Sequence, residues 1–243
     1  MTRQTDRAII RITGEDRIPF LQNLVTNDIS RGPAWSALLT PQGKYLADFL
    51  TLPDGDGLLL DVDARLAEDL LRRLTMYRLR ARVGIDPTAL TVARGTGPAP
   101  SGAIADPRHP ALGWRLYGGA GEDGSDWDAI RVEHCIPETL IELIPNDTYP
   151  LEAGFERLHG VDFRKGCYVG QEVTARMKHK TELRKGLMTL RVECEAPVGT
   201  PITREDKEVG VLFSQSGGRG IAHVRFDRLG EGMAAGEARV LDP

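Results

Sequence analysis

From Leu183 to the C-terminus the sequence runs in short apolar alternations broken by glycine: Gly186–Val192, Pro201–Thr203, Val209–Phe213, Ile221–Phe226 and Ala238–Leu241. A two-residue period puts alternate side chains on opposite faces. Strands this short hide their apolar face only by closing on one another, as in a small barrel or sandwich. Residues 183–243 are therefore expected to form an all-β segment, a small barrel or a sandwich.

The earlier part mixes periods. Arg7–Thr13 alternates as a half-buried strand, and the following stretch changes to helical spacing at Ile18, Leu21, Leu24 and Val25, with Glu15 and Asp16 placed for its first turn. Strands are expected at Ala34–Leu39, Tyr45–Leu52, Leu58–Val62, Leu79–Ile85 and Ala89–Ala93, and an amphipathic helix at Ala64–Tyr77. Gly95–Pro110 is rich in proline and lacks periodicity, as a linker does. A strand at Gly113–Tyr117 and a helix over Ser125–Cys135 follow, with Ser125 as the cap and Trp127, Ile130 and Cys135 inward.

With 243 residues, 41% of them apolar and 27% charged, the chain has the proportions of a globular protein with a sizeable core. A net charge of −4 and a pI near 5.8 exclude a general nucleic-acid binder. Met1–Ile10 has no secretory signal pattern, and no apolar run approaches the roughly 20 residues of a membrane span, so a cytoplasmic protein without membrane partners is expected. Cys135, Cys167 and Cys194 are too few and too scattered for a disulfide framework or a four-thiolate cluster site, and no metal site is expected.

The densest chemistry lies between Pro145 and Lys180. Cys167 follows Arg164 and Lys165, an electropositive setting that favours a thiolate, although a lone cysteine also serves as a small buried hydrophobe. Gly166 and Gly170 allow either tight turns or close approach to a flat ligand. Gln171 and Glu172 could bond a ligand's edge or simply begin a solvated helix, and Asn27 and Asp28 could line a cleft or end the first helix. The basic run of Lys178, His179, Lys180, Arg184 and Lys185 reads either as a solvated face or as a site for an anion.

The run GVDFRKGCYVGQEVTARMKHK resembles the signature of the YgfZ-type folate-binding family of iron–sulfur cluster assembly factors, related to the glycine-cleavage aminomethyltransferases. Lys165, Gly166, Cys167, Tyr168, Gly170, Gln171 and Glu172 fill its hallmark. FLQNLVTNDI, SALLTPQGKYLADF, the block Asp106–Gly113 and IPNDTYPLEAGFERLHGV look like further family blocks in family order. The resemblance implies an α+β aminomethyltransferase fold. Residues 1–33 with 111–182 would make a folate-binding core, 34–94 a ferredoxin-like subdomain, 95–110 a linker and 183–243 a C-terminal β-barrel.

It also implies a tetrahydrofolate cofactor, or a one-carbon derivative of it, held by Glu152, Tyr168, Gly170, Gln171, Glu172 and Asn27. Cys167 would be the functional thiol, Lys165 its electrostatic partner, and iron–sulfur client or assembly proteins the partners. In the enzymes of the wider group two acids stand where this chain has Ala47 and Asp48. The loss of the first leaves catalysis open. The preferred function is support of iron–sulfur cluster assembly or repair, and the alternative is a folate-dependent aminomethyltransferase or other one-carbon transferase using Asp48.

Overall fold

The computed structural model describes residues 6–119, 121–179 and 183–241. The chain divides into two compact units, residues 1–125 with 156–171 and residues 126–155 with 172–243.

The first unit is organised by an antiparallel sheet in the order β2-β3-β4-β1-β5, formed by β1 (Arg7–Thr13), β2 (Ala34–Leu39), β3 (Tyr45–Asp54), β4 (Gly57–Asp63) and β5 (Gly84–Pro87). One face carries Ile10, Ile12, Phe49, Leu60 and Val62 and packs on helices α1 (Arg17–Gln22) and α2 (Ala64–Arg78), which contribute Phe20, Leu21, Leu70 and Leu74. The other face carries Ile9, Leu52 and Leu59, against which Ile104 and Tyr117 pack. These come from a second sheet, ordered β7-β8-β6-β9, made of β6 (Val92–Gly95), β7 (Ile104–Ala105), β8 (Trp114–Tyr117) and β9 (Gly121–Glu122).

Buried charge joins the two sheets. Asp61 on β4 pairs with Arg7 at 2.6 Å and Arg115 at 2.9 Å and accepts from the Tyr117 hydroxyl, and Arg115 continues to Asp106, which also holds Arg108. Burial lifts the Tyr117 hydroxyl far above its usual range, with Asp61 adding to the shift, while the cations around Asp61 and Asp106 overcome burial and hold both carboxyls below theirs. The Asp106–Gly113 block is thus a structural clamp. At its end Gly113 has φ 63°, and a Cβ there would lie 2.1 Å from the Gly95 carbonyl oxygen.

Several expectations shift. β1 pairs with β4 and β5, so the sheet crosses the expected boundary at residue 34, and the 95–110 linker contains β7 and the buried Asp106 and Arg108. The first helix stops at Gln22, and by Val25 the chain bridges to Leu38. Asp16 and Glu15 pair with Arg82 rather than serving a helix start.

In the second unit α3 (Trp127–His134) is capped by Asp126, whose carboxylate accepts from Ala129 N, and not by Ser125. Its buried residues are Arg131 and Val132. Helix α4 (Gln171–His179) begins at the end of the first unit. A closed barrel follows, ordered β10-β13-β12-β11-β14-β15, from β10 (Lys185–Glu193), β11 (Thr200–Arg204), β12 (Lys207–Ser216), β13 (Arg219–Arg225), β14 (Met233–Ala235) and β15 (Ala238–Leu241). Leu190, Ile202, Leu212, Val224 and Val240 fill it. Arg131 ties α3 to the barrel by donating to Glu142 and to the Ser214 hydroxyl at 2.7 Å. Among the described residues no helix is long and apolar enough to cross a membrane.

Candidate functional site

The thiol of Cys167 stands on a loop of the first unit that is fastened on both sides. Upstream, Thr26 Oγ1 donates to Gly160 O at 2.6 Å, Asn27 Nδ2 donates to His159 O and Trp35 O, and Asp162 N donates to Thr26 O. The Thr-Asn pair thereby stitches residues 159–162 to β2. Both protons of the Asn27 amide are spent on the chain's own carbonyls.

Within the loop, burial alternates in a way that assigns roles. Lys165 and Tyr168 are each 8% exposed, whereas Gly166 and Cys167 between them are exposed. The Lys165 ammonium donates to Gln22 O at 2.6 Å, a carbonyl left over at the end of α1, and to Val25 O just beyond the helix, and lies 5.1 Å from the centroid of the Tyr168 ring. Burial pushes this ammonium down to about 8, against the pull of Asp28 and Asp162. The lysine expected to be the thiol's electrostatic partner is therefore turned inward as an anchor for the loop.

Downstream, Gly170 has φ 84°, and a Cβ there would sit 2.6 Å from Thr40 O and 3.1 Å from Gly43 Cα. The glycine is needed for approach to the 40–43 turn of the protein itself, which closes with Gly43 N donating to Thr40 O. Gln171 N then donates to Tyr168 O, and Gln171 and Glu172 open α4, half-buried and exposed respectively. Lys178 and His179 are exposed on its last turn, and Lys180 lies outside the described residues.

Asp48 is sequestered. It is 4% exposed, and one carboxylate oxygen accepts from Trp35 Nε1 at 2.8 Å while the other accepts from the Tyr45 hydroxyl at 2.7 Å.

In the second unit, Glu152 is 8% exposed and its Oε2 lies 3.1 Å from His223 Nε2 and 3.4 Å from Lys185 Nζ, both on barrel strands. Its carbonyl accepts from Leu187 N, and Gly186 leaves room for that approach, since a Cβ there would be 3.0 Å from Glu152 O. His223 and Lys185 as partners of Glu152 were not legible, because nothing in a strand's alternation says which distant loop it faces. A carboxylate has about four acceptor positions, so Glu152 keeps capacity for a ligand's paired N–H donors. Of the residues expected to hold a folate, Glu152 retains unused acceptor positions. Asn27 and Gly170 are committed to the chain's own backbone.

An open cleft of about 470 Å³ also lies in the first unit, lined among others by Asn27, Asp28, Arg31, Trp35, Asp162 and Arg164. Hydrogen bonds from the Ser30 hydroxyl and amide hold Asp28 down to about 2. Of the expected binding residues only Asn27 lines this cleft. Among the described residues no cluster of three or more histidine, cysteine or acidic side chains could hold a metal ion.

Residues 184–241 match the family model of the CAF17 C-terminal β-barrel domain. The chain is similar to the mitochondrial iron–sulfur cluster assembly factors IBA57 of Mus musculus and Homo sapiens, with 28% and 29% identity over 93% of this chain and 78% of each relative. It is also 31% identical to the mitochondrial IBA57 homologue of Neurospora crassa, over 77% of this chain and about half, 52%, of that protein. The glycine cleavage system aminomethyltransferase T of Bartonella henselae superposes with a TM-score of 0.75 over 98% of this chain and 83% of the other at 13% identity. The fold is thus aminomethyltransferase-like, mixed α+β with a C-terminal six-stranded barrel. The expected cytoplasmic localisation is corrected by the relatives, all named mitochondrial. That expectation rested on the lack of a secretory signal or membrane span, and mitochondrial targeting uses neither.

Proposed function

We propose that this chain supports assembly or repair of iron–sulfur clusters in client proteins, in the mitochondrial setting its relatives' names indicate, with Cys167 as the thiol that meets the cluster or a partner. The observation that carries this reading is the exposed Cys167 on a loop whose neighbours Lys165, Tyr168 and Gly170 are all locked inward. A thiolate is a soft ligand suited to iron and sulfur chemistry. Clusters take four protein ligands, and the whole chain has three cysteines, so a cluster met by Cys167 is cargo shared with a partner. The resemblance of the run around Cys167 to the YgfZ-type signature supports the same reading.

Tetrahydrofolate binding belongs to the proposal, with Glu152 accepting hydrogen bonds from the ligand's amino and N–H groups. The one-carbon transferase reading is disfavoured, because Asp48 already holds two donors and is shut from solvent.

The test is reactivation of a cluster-dependent client enzyme by the wild-type chain and by Cys167→Ala. Loss of support in the variant, with an unchanged melting temperature, is expected; undiminished support would refute the role of the thiol. Titration with tetrahydrofolate of wild type against Glu152→Ala checks the cofactor separately, with weaker binding by the variant expected.

A further inference from the structure

At the end of α2 the chain exposes six consecutive residues, Thr75 to Arg80. Among them Met76 is 65% exposed, Tyr77 38% and Leu79 88%. Water contact by one large apolar side chain is ordinary, but three in one short run make an exposed apolar cluster that calls for an explanation.

Leu79 is also held in an unfavourable conformation. Its φ of 44° and ψ of −106° belong to the first central position of a type II′ turn, and the turn is closed by Ala81 N donating to Arg78 O at 2.8 Å. Glycine is the usual residue there because any Cβ is crowded. A leucine that is both strained and almost wholly in solvent contributes nothing to the folded state through packing, which points to a task outside the chain.

The surrounding charge says what kind of partner fits. Residues 64–82 hold six arginines and no lysine against two acids, Glu68 and Asp69, in a chain whose net charge is −4. Arg72 and Arg73 are engaged with Asp69, Arg65 with Asp63, and Arg82 with Glu15 and Asp16. Arg78 and Arg80, flanking Leu79, have no ion-pair partner among the described residues. Arginine, tyrosine and methionine are the residues enriched at protein interfaces, and lysine is depleted there.

We infer that the turn Arg78–Ala81 is a docking point for an acidic protein surface, with Leu79 as the apolar anchor and Arg78 and Arg80 as its charged flanks. A symmetric contact with a second copy would set arginines against arginines and is disfavoured. The inference is independent of the role of Cys167.

The probe is a fluorescein-labelled peptide of glutamate and leucine, titrated into the full chain beside its lysine-for-glutamate counterpart and beside phosphatidylglycerol vesicles. Binding of the acidic peptide that weakens with salt, and by about tenfold or more in Leu79→Ser and in Arg78→Glu with Arg80→Glu, supports the site. Leu79→Gly should raise the melting temperature while binding as weakly as Leu79→Ser, separating the anchor from any role in folding. Equal binding by wild type and all variants overturns the inference, as does binding to the vesicles with none to the acidic peptide, which would make the patch a membrane contact.

Discussion

On the loop that leads into α4, Cys167 is exposed while Lys165 and Tyr168 on either side of it are buried; on β3, Asp48 is buried with a tryptophan on one oxygen and a tyrosine on the other. Both residues lie in the first unit, and each belongs to a block resembling the same protein family. The loop spends its strongest interactions on holding its neighbours so that the sulfur faces outward. The strand spends its donors on the acid itself, which is what a structural carboxylate requires. The proposed thiol differs from the acid in what the fold leaves unspent, and residue type alone would have ranked the two alike.

Asp61 sharpens the contrast, since it lies on the same sheet face as Asp48 and is more deeply committed. Asp61→Ala leaves Arg7 and Arg115 buried without their shared anion, and a loss of about 3–5 kcal/mol is expected in denaturant unfolding. A loss within 1 kcal/mol would mean that those cations find water, and the buried network would lose its structural meaning.

Gly170→Ala tests the fastening of the loop. The methyl group meets the Thr40 carbonyl oxygen and the backbone must keep a positive φ, so about 2–4 kcal/mol of destabilisation is expected, with cluster support impaired as the loop shifts. Normal stability with full support would show that the loop is not held there.

A third effect is a dependence on pH. Because burial lowers the Lys165 ammonium to about 8 from an ordinary 10.5, the unfolded chain holds more protons between those values, and folding is favoured as pH rises through that window. Stability of wild type relative to Lys165→Met should therefore rise between pH 8 and about 10.5 and stay level below 8. A constant difference across the window would mean that the ammonium is not perturbed.

The strands around these sites were legible because their periods are long enough to register. Arg7–Thr13 and Ala34–Leu39 match the sequence reading, and the barrel strands were found in order apart from Met233–Ala235, three residues between glycines that are too short to show alternation. The first helix was read too long because Leu24 and Val25 keep helical spacing although tertiary pairing has already taken Val25 to Leu38. The site was legible only as a set of names. That Lys165 points in and Cys167 out depends on carbonyls at residues 22 and 25, and that Gly170 serves the protein's own backbone depends on a turn at residues 40–43. Such contacts between distant segments leave no local period.

The contrast between the presented thiol and the sequestered acid is tested most directly by one assay of cluster-dependent client activity run with Cys167→Ser and Asp48→Asn side by side, each at equal folded concentration. The account predicts that Cys167→Ser loses support while Asp48→Asn keeps it despite a lower melting temperature. Support that survives in Cys167→Ser and disappears in Asp48→Asn would contradict it.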